Sequence, residues 1–104
     1  MKNYNCPIEA IIDVIGGKWK ALILWQLQDT TKRTGELKRL IPGITQKMLI
    51  QQLKALENQG FVKRNVYAQV PPKVEYSLTK SGENLKPILQ QMCSWGREYM
   101  KNLK

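Results

Sequence analysis

Four side chains able to hydrogen-bond to a flat partner recur at helical spacing in the segment IPGITQKMLIQQLKALENQGFVKR: Lys47, Gln51, Lys54 and Asn58. At roughly 100° per residue they share one side of a helix, opposite Leu49, Leu53 and Leu56. Amides and ammonium groups so placed bind rather than catalyse. The chain has no histidine, and its two cysteines, Cys6 and Cys93, lie 87 positions apart. That excludes the usual zinc spacings and every histidine-dependent acid/base or nucleophilic arrangement. No acid pair, glycine-rich phosphate loop or nucleophile with a base partner is present, so the reading is a non-enzyme with no metal and no cofactor.

Charge sharpens the question of what that face binds. Seventeen Lys and Arg against eight Asp and Glu leave +9, and the excess is local. Residues 1–31 balance to zero, whereas residues 32–64 hold eight bases against two acids, a net +6. A concentrated basic field suits a polyanion, because neutralised phosphates release counterions. The plainer reading is a solvated surface that keeps the chain soluble, and charge alone does not separate the two.

The elements that must position these side chains follow from punctuation and period. The chain is about the length of one domain, taken as residues 1–104, and can bury a modest core without staples. Pro7 suits the first turn of a helix that Gly16-Gly17 stops, with Ile8, Ile11, Ile12 and Ile15 on its apolar side. Between Lys18 and Gln28, apolar residues surround most of the circumference, as in a helix at the centre of a core. Thr34 is the expected cap of a short helix through Leu40, which Pro42-Gly43 breaks. Thr45 is the expected cap of the next helix, and Gly60 its stop. From Phe61 the period shifts towards two: Phe61 to Tyr67 and Lys73 to Leu78 predict an antiparallel pair joined by a stiff loop, Ala68 to Pro72. The last helix begins near Ser81 or Asn84. Leu85, Ile88, Met92, Trp95 and Tyr99 form a heptad-like seam that packs on its own core or, as favoured here, on another subunit. Pro87 requires that helix either to start close to Asn84 or to kink.

Helix, helix, short helix, turn, polar-faced helix, hairpin, helix is the layout of a winged helix-turn-helix: mainly α with a small β-hairpin. A helix about 10–12 Å across fits the DNA major groove, which makes double-stranded DNA the expected partner. Thr45, Gln46, Lys47, Ile50, Gln51 and Lys54 are the candidate reading residues. Gln pairs with adenine, Lys with guanine, and an exposed Ile50 meets a thymine methyl. Lys38, Arg39, Lys63, Arg64 and Lys73 are candidate phosphate contacts that set the docking register.

The segments CPIEAIIDVIGGKWKALIL, IPGITQKMLIQQLKALENQGFVKR and VPPKVEYSLTKSGENLKPIL resemble, in order and spacing, signature segments of the HxlR-type winged helix-turn-helix regulators, bacterial relatives of the MarR group. The resemblance spans residues 6 to about 99. It implies a homodimer joined through its first and last helices, by Ile8 and Ile11 with Leu85, Ile88, Met92, Trp95 and Tyr99, that binds an inverted-repeat operator and controls transcription. It also implies that Cys6, at the position where several members carry a sensing cysteine, responds to oxidants or electrophiles. A helix N-terminus is an environment that can favour a thiolate. In some members that thiol pairs with one from the partner's final helix; Cys93 lies beside the seam.

Two rival readings stand beside this one: a winged helix that binds RNA, with Tyr67 the one candidate stacking platform in the basic segment, and a protein-interaction winged helix. The longest apolar run, Ala21 to Trp25, is far short of the roughly 20 residues of a membrane span, so no membrane partner is expected. The N-terminus has no secretory pattern, so the expected location is the cytoplasm, where free thiols are the norm.

Overall fold

Side chains within three residues of the start cap α1, α3 and α4. The computed structural model describes residues 3–103. In order they form α1 (Pro7–Ile15), α2 (Lys20–Leu27), α3 (Thr34–Leu40), α4 (Gln46–Asn58), strands β1 (Val62–Tyr67) and β2 (Lys73–Leu78), a one-turn α5 (Lys80–Glu83), and α6 (Lys86–Lys101). Mainly helical with one hairpin, this is the winged helix-turn-helix expected from the order of the sequence patterns. No helix among the described residues is long and apolar enough to cross a membrane.

Pro7 opens α1, and the Glu9 carboxylate accepts from the backbone N–H groups of Asn5 and Cys6, at 2.6 and 3.1 Å. The same device opens α3. Glu36 accepts from the Arg33 N–H at 2.9 Å, so the residue at the cap is Arg33 and Thr34 is already helical, one position off the sequence expectation. At α4 the expectation holds: the Thr45 hydroxyl accepts from the Met48 N–H at 3.0 Å.

The turn between α3 and α4 has proline second and glycine third, with Gly43 at φ +88° and the Ile44 N–H bonded to the Ile41 carbonyl at 3.3 Å. Only glycine adopts that φ without strain, and proline pre-sets the residue before it. Ile41 and Ile44 are both buried and lock the angle between α3 and α4 to the core. At its far end α4 closes in a Schellman motif. Phe61 N–H bonds to the Leu56 carbonyl and Gly60 N–H to the Glu57 carbonyl, each at 3.0 Å, with Gly60 at φ +86°.

The core is built around α2, which packs on α1, α3, α4, α6 and β2. Ile23, Leu24 and Leu27 from α2 meet Leu37, Leu49, Leu53 and Leu56, with Val62, Tyr76 and Leu78 of the hairpin closing one side. Each enclosed leucine stabilises the fold by about 1.5–3 kcal/mol over an exposed one. The strands are antiparallel in the register Val62↔Leu78, Arg64↔Tyr76, Val66↔Val74. Lys32 adds a one-residue third strand, exchanging both backbone hydrogen bonds with Tyr76 at 3.0 and 2.8 Å.

The final segment departs from the sequence expectation. Gly82 of α5 is packed so closely on the Phe61 carbonyl that a Cβ has no room there, and Thr79 donates to the Gly60 carbonyl at 2.6 Å. Lys86 and Pro87 then start α6 afresh, with proline in the first turn, so the alternative of a kink at Pro87 falls away. Leu85 sits outside α6, at its cap, and is only 8 % exposed. It belongs to the subunit's own core and is removed from the candidate dimer seam.

Candidate nucleic-acid interface

Burying Leu49, Leu53 and Leu56 turns the opposite side of α4 to solvent. Thr45, Gln46, Lys47, Ile50, Gln51 and Lys54 are all exposed, and among the described residues the side chains of Lys47, Gln51 and Lys54 carry no hydrogen bond or ion pair. Asn58 continues the face to the end of the helix. Thr45 satisfies the third N–H of α4 but not those of Gln46 and Lys47, and the first turn has no acidic residue. The positive end of the helix therefore lies open beside the lysine and amide side chains, an arrangement that attracts phosphate.

Cations around this face fall into three sets. Lys38 and Arg39 are exposed in the last turn of α3. Arg64 is exposed opposite Tyr76 and shares a groove between hairpin and α4 with Ile50, Lys54 and Glu57. Lys63 pairs with Ser77 and so points from the other face of the hairpin, because side chains alternate along a strand. The structure thus separates two neighbours that the sequence placed together.

Lys73 is the candidate phosphate contact that the structure treats differently. It is half-buried, with its Nζ 3.4 Å from a Glu75 carboxylate oxygen and 5.3 Å from the centroid of the Tyr67 ring. Its charge is already engaged, and it lies over the ring that the RNA reading needs as a stacking platform.

Arg33 was missed. An open groove between the start of α3 and the hairpin is lined by Arg33, Glu36, Arg39, Pro72, Lys73 and Val74, bringing three cations together there. Its signal was present in the dense bases of residues 32–64, but the tight polar stretch before Thr34 reads only as a helix break.

A second surface lies on α1 and α6. Ile8, Ile12, Ile88, Met92, Trp95 and Tyr99 are large apolar residues left exposed, Trp95 by 69 %. Trp95 and Tyr99 stack, with centroids 5.3 Å apart. Ile11 turns the other way, half-buried against the subunit's own core. Cys6 is exposed at the start of α1; Cys93 is half-buried, with the Arg97 guanidinium 3.5 Å from its sulfur.

A buried helix-turn-helix angle, an outward polar helix and a flanking hairpin define a winged helix-turn-helix DNA-binding protein. The model of the HxlR-like helix-turn-helix family matches residues 14–104, and the chain belongs to that family of transcriptional regulators. Over 99 residues it is 61 % identical to YkvN of Bacillus subtilis (strain 168), an uncharacterized HTH-type transcriptional regulator, covering 95 % of this chain and 84 % of YkvN. The redox regulator HypR in its oxidized form superposes with a TM-score of 0.86 at 54 % identity, over 89 % of this chain and 96 % of HypR. The reduced form of HypR gives 0.86 at 53 % identity, over 89 % and 92 %. Membership in this family makes the chain a DNA-binding regulator and not an enzyme.

Proposed function

We propose that the chain acts as a homodimer on an inverted-repeat operator, with α4 reading the major groove through Thr45, Gln46, Lys47, Ile50, Gln51 and Lys54. Lys38, Arg39 and Arg64 hold the flanking phosphates, joined by Arg33; Lys63, on the hairpin face turned away from α4, drops out of that set, and Lys73, in the ladder pair next to the loop, adds a weaker contact. The observation that carries this reading is the unpartnered polar side of α4 beside an open helix N-terminus. The exposed apolar residues of α1 and α6 supply a self-complementary surface for two-fold pairing, and two copies of α4 then address two half-sites. A gel shift with the protein's own upstream region tests this directly. Binding that weakens steeply with salt and protects a two-fold symmetric footprint supports it; a footprint without that symmetry contradicts the dimer.

Cys6 is the proposed point of regulation. It is exposed and opens the helix that carries Ile8 and Ile12, so a change at its sulfur acts next to the pairing surface. The relative HypR is a redox regulator with oxidized and reduced forms, which supports the same chemistry here. Diamide or a quinone is expected to alter the gel shift of the wild type and to leave Cys6→Ser unaffected; an equal response in both removes Cys6 from the account. An intersubunit Cys6–Cys93 disulfide gives a dimer-sized band on non-reducing electrophoresis of diamide-treated wild type. A monomer-sized band for both wild type and Cys6→Ser contradicts that bridge.

A further inference from the structure

Residues 3–6 lie back along α1 instead of leading away from it. Asn3, Tyr4 and Asn5 share a groove with Glu9, Ile12 and Asp13, and the Tyr4 hydroxyl donates to the Asp13 carboxylate at 2.8 Å, nine residues further on. Glu9 holds the other side of this strap. Its carboxylate accepts from the Asn5 and Cys6 N–H groups, and its own N–H bonds to the Cys6 carbonyl at 2.9 Å. Cys6 therefore lies between two anchors. Asp13 in turn faces two ways: its carboxylate holds the strap, while its carbonyl, one of those a helix end leaves without an intrahelical partner, accepts from Lys20 and Gln59. Gln59 is the residue that closes α4, its N–H bonding to the Ala55 carbonyl at 3.0 Å beside the Gly60 and Phe61 bonds of the Schellman motif.

We propose that Asp13 is a positioning residue that couples the state of the Cys6 sulfur to the end of the reading helix, within one subunit. The inference deepens the regulatory reading of Cys6 and rests on it and on the assignment of α4. A polar substituent on the sulfur brings an acceptor beside the N–H groups that Glu9 satisfies at the start of α1, and competes for them. Because the strap is also held at Tyr4, its displacement draws on the Asp13 carboxylate, and the Asp13 carbonyl moves with the same residue. At 3.5 and 3.4 Å the bonds from Lys20 and Gln59 are near the limit of hydrogen-bond reach, so a small shift removes them. Each bond is modest. The expected signal is thus a change in how often the end of α4 opens, with the fold retained.

The test takes Cys93→Ser as the parent, which leaves Cys6 the one thiol of the chain, and treats it with iodoacetamide. The Cys6 sulfur bonds to the carbamidomethyl carbon, iodide leaves, and the thiol proton passes to the buffer. Amide hydrogen exchange at Gln59, Gly60 and Phe61 is read before and after, with affinity for a selected duplex measured on the same samples. Alkylation is expected to speed exchange at these amides about threefold or more in the parent. In Tyr4→Phe and in Asp13→Ala, which keep the Asp13 carbonyl and every proposed DNA contact, the rates are expected to stay as they were before treatment. The route lies inside one subunit, so the response is expected to persist in Trp95→Asp. Exchange at the end of α4 that ignores alkylation in the parent, that responds equally in Tyr4→Phe and Asp13→Ala, or that loses its response in Trp95→Asp overturns the proposal. Affinity separates the two levels. If alkylation changes affinity while the end of α4 is indifferent, Cys6 regulates by another route and only the role of Asp13 fails. If the end of α4 responds while affinity stays constant, the coupling stands and the regulatory reading of Cys6 fails.

Discussion

The Lys20 ammonium stands 3.3 Å from the side-chain oxygen of Gln59, and both side chains reach the Asp13 carbonyl, at 3.5 and 3.4 Å. Three hydrogen bonds thus tie the end of α1 to the end of α4, joining the helix that carries Cys6 at its start to the helix proposed to read DNA. These are long bonds at a half-buried site, so each contributes modestly. Lys20→Met and Gln59→Ala are each expected to lower stability by about 0.5–1 kcal/mol, and the double variant by less than their sum, because they share partners. Urea unfolding of the four proteins measures this; strict additivity would show that the triangle does not act as a unit.

Thr45 has two separable duties. Thr45→Ala removes the cap of α4 and is expected to cost about 1 kcal/mol in thermal or urea unfolding. Thr45→Asp keeps an acceptor for the Met48 N–H, so stability stays near wild type, while a carboxylate beside the DNA face weakens binding. Equal loss of stability in both variants would mean that the hydroxyl does more than cap.

Phosphate and base contacts are distinguished by salt. Arg39→Ala and Arg64→Ala are each expected to weaken binding to all duplexes alike and to lower the slope of log affinity against log salt by about one. Lys73→Ala is expected to change that slope less, since its charge is shared with Glu75 and Tyr67. A full unit of slope lost in Lys73→Ala contradicts this ranking.

Pairing through α1 and α6 predicts that Trp95→Asp yields a folded monomer, since Trp95 is 69 % exposed and adds little to its own subunit's core. Sedimentation velocity with circular dichroism is the measurement. A dimer that survives both Trp95→Asp and Ile8→Asp places the interface elsewhere.

Much of this was legible in the sequence because the devices are local. Thr45, the Leu49–Leu53–Leu56 spacing and Gly60 mark α4 within one turn at each end, and the alternation of Val74, Tyr76 and Leu78 marks β2. What escaped depends on contacts distant along the chain. Lys32 pairs with Tyr76 across 44 positions, and a one-residue strand has no period to detect. Leu85 falls on the heptad spacing of α6, yet spacing does not say where a helix begins; Pro87 in the first turn leaves Leu85 before the helix and inside the core. The opposite faces of Lys63 and Arg64 follow from strand alternation alone, but which face meets α4 is set by packing.

Gln51 provides the most direct test, because it is exposed, uncharged and in the middle of the outward side of α4. The measurement is the ratio of affinities for a selected duplex and a scrambled duplex at one salt concentration, for wild type and Gln51→Ala. A ratio that falls about fivefold or more, with an unchanged unfolding midpoint, is the predicted result; a ratio equal to that of the wild type contradicts the assignment of α4 as the reading helix.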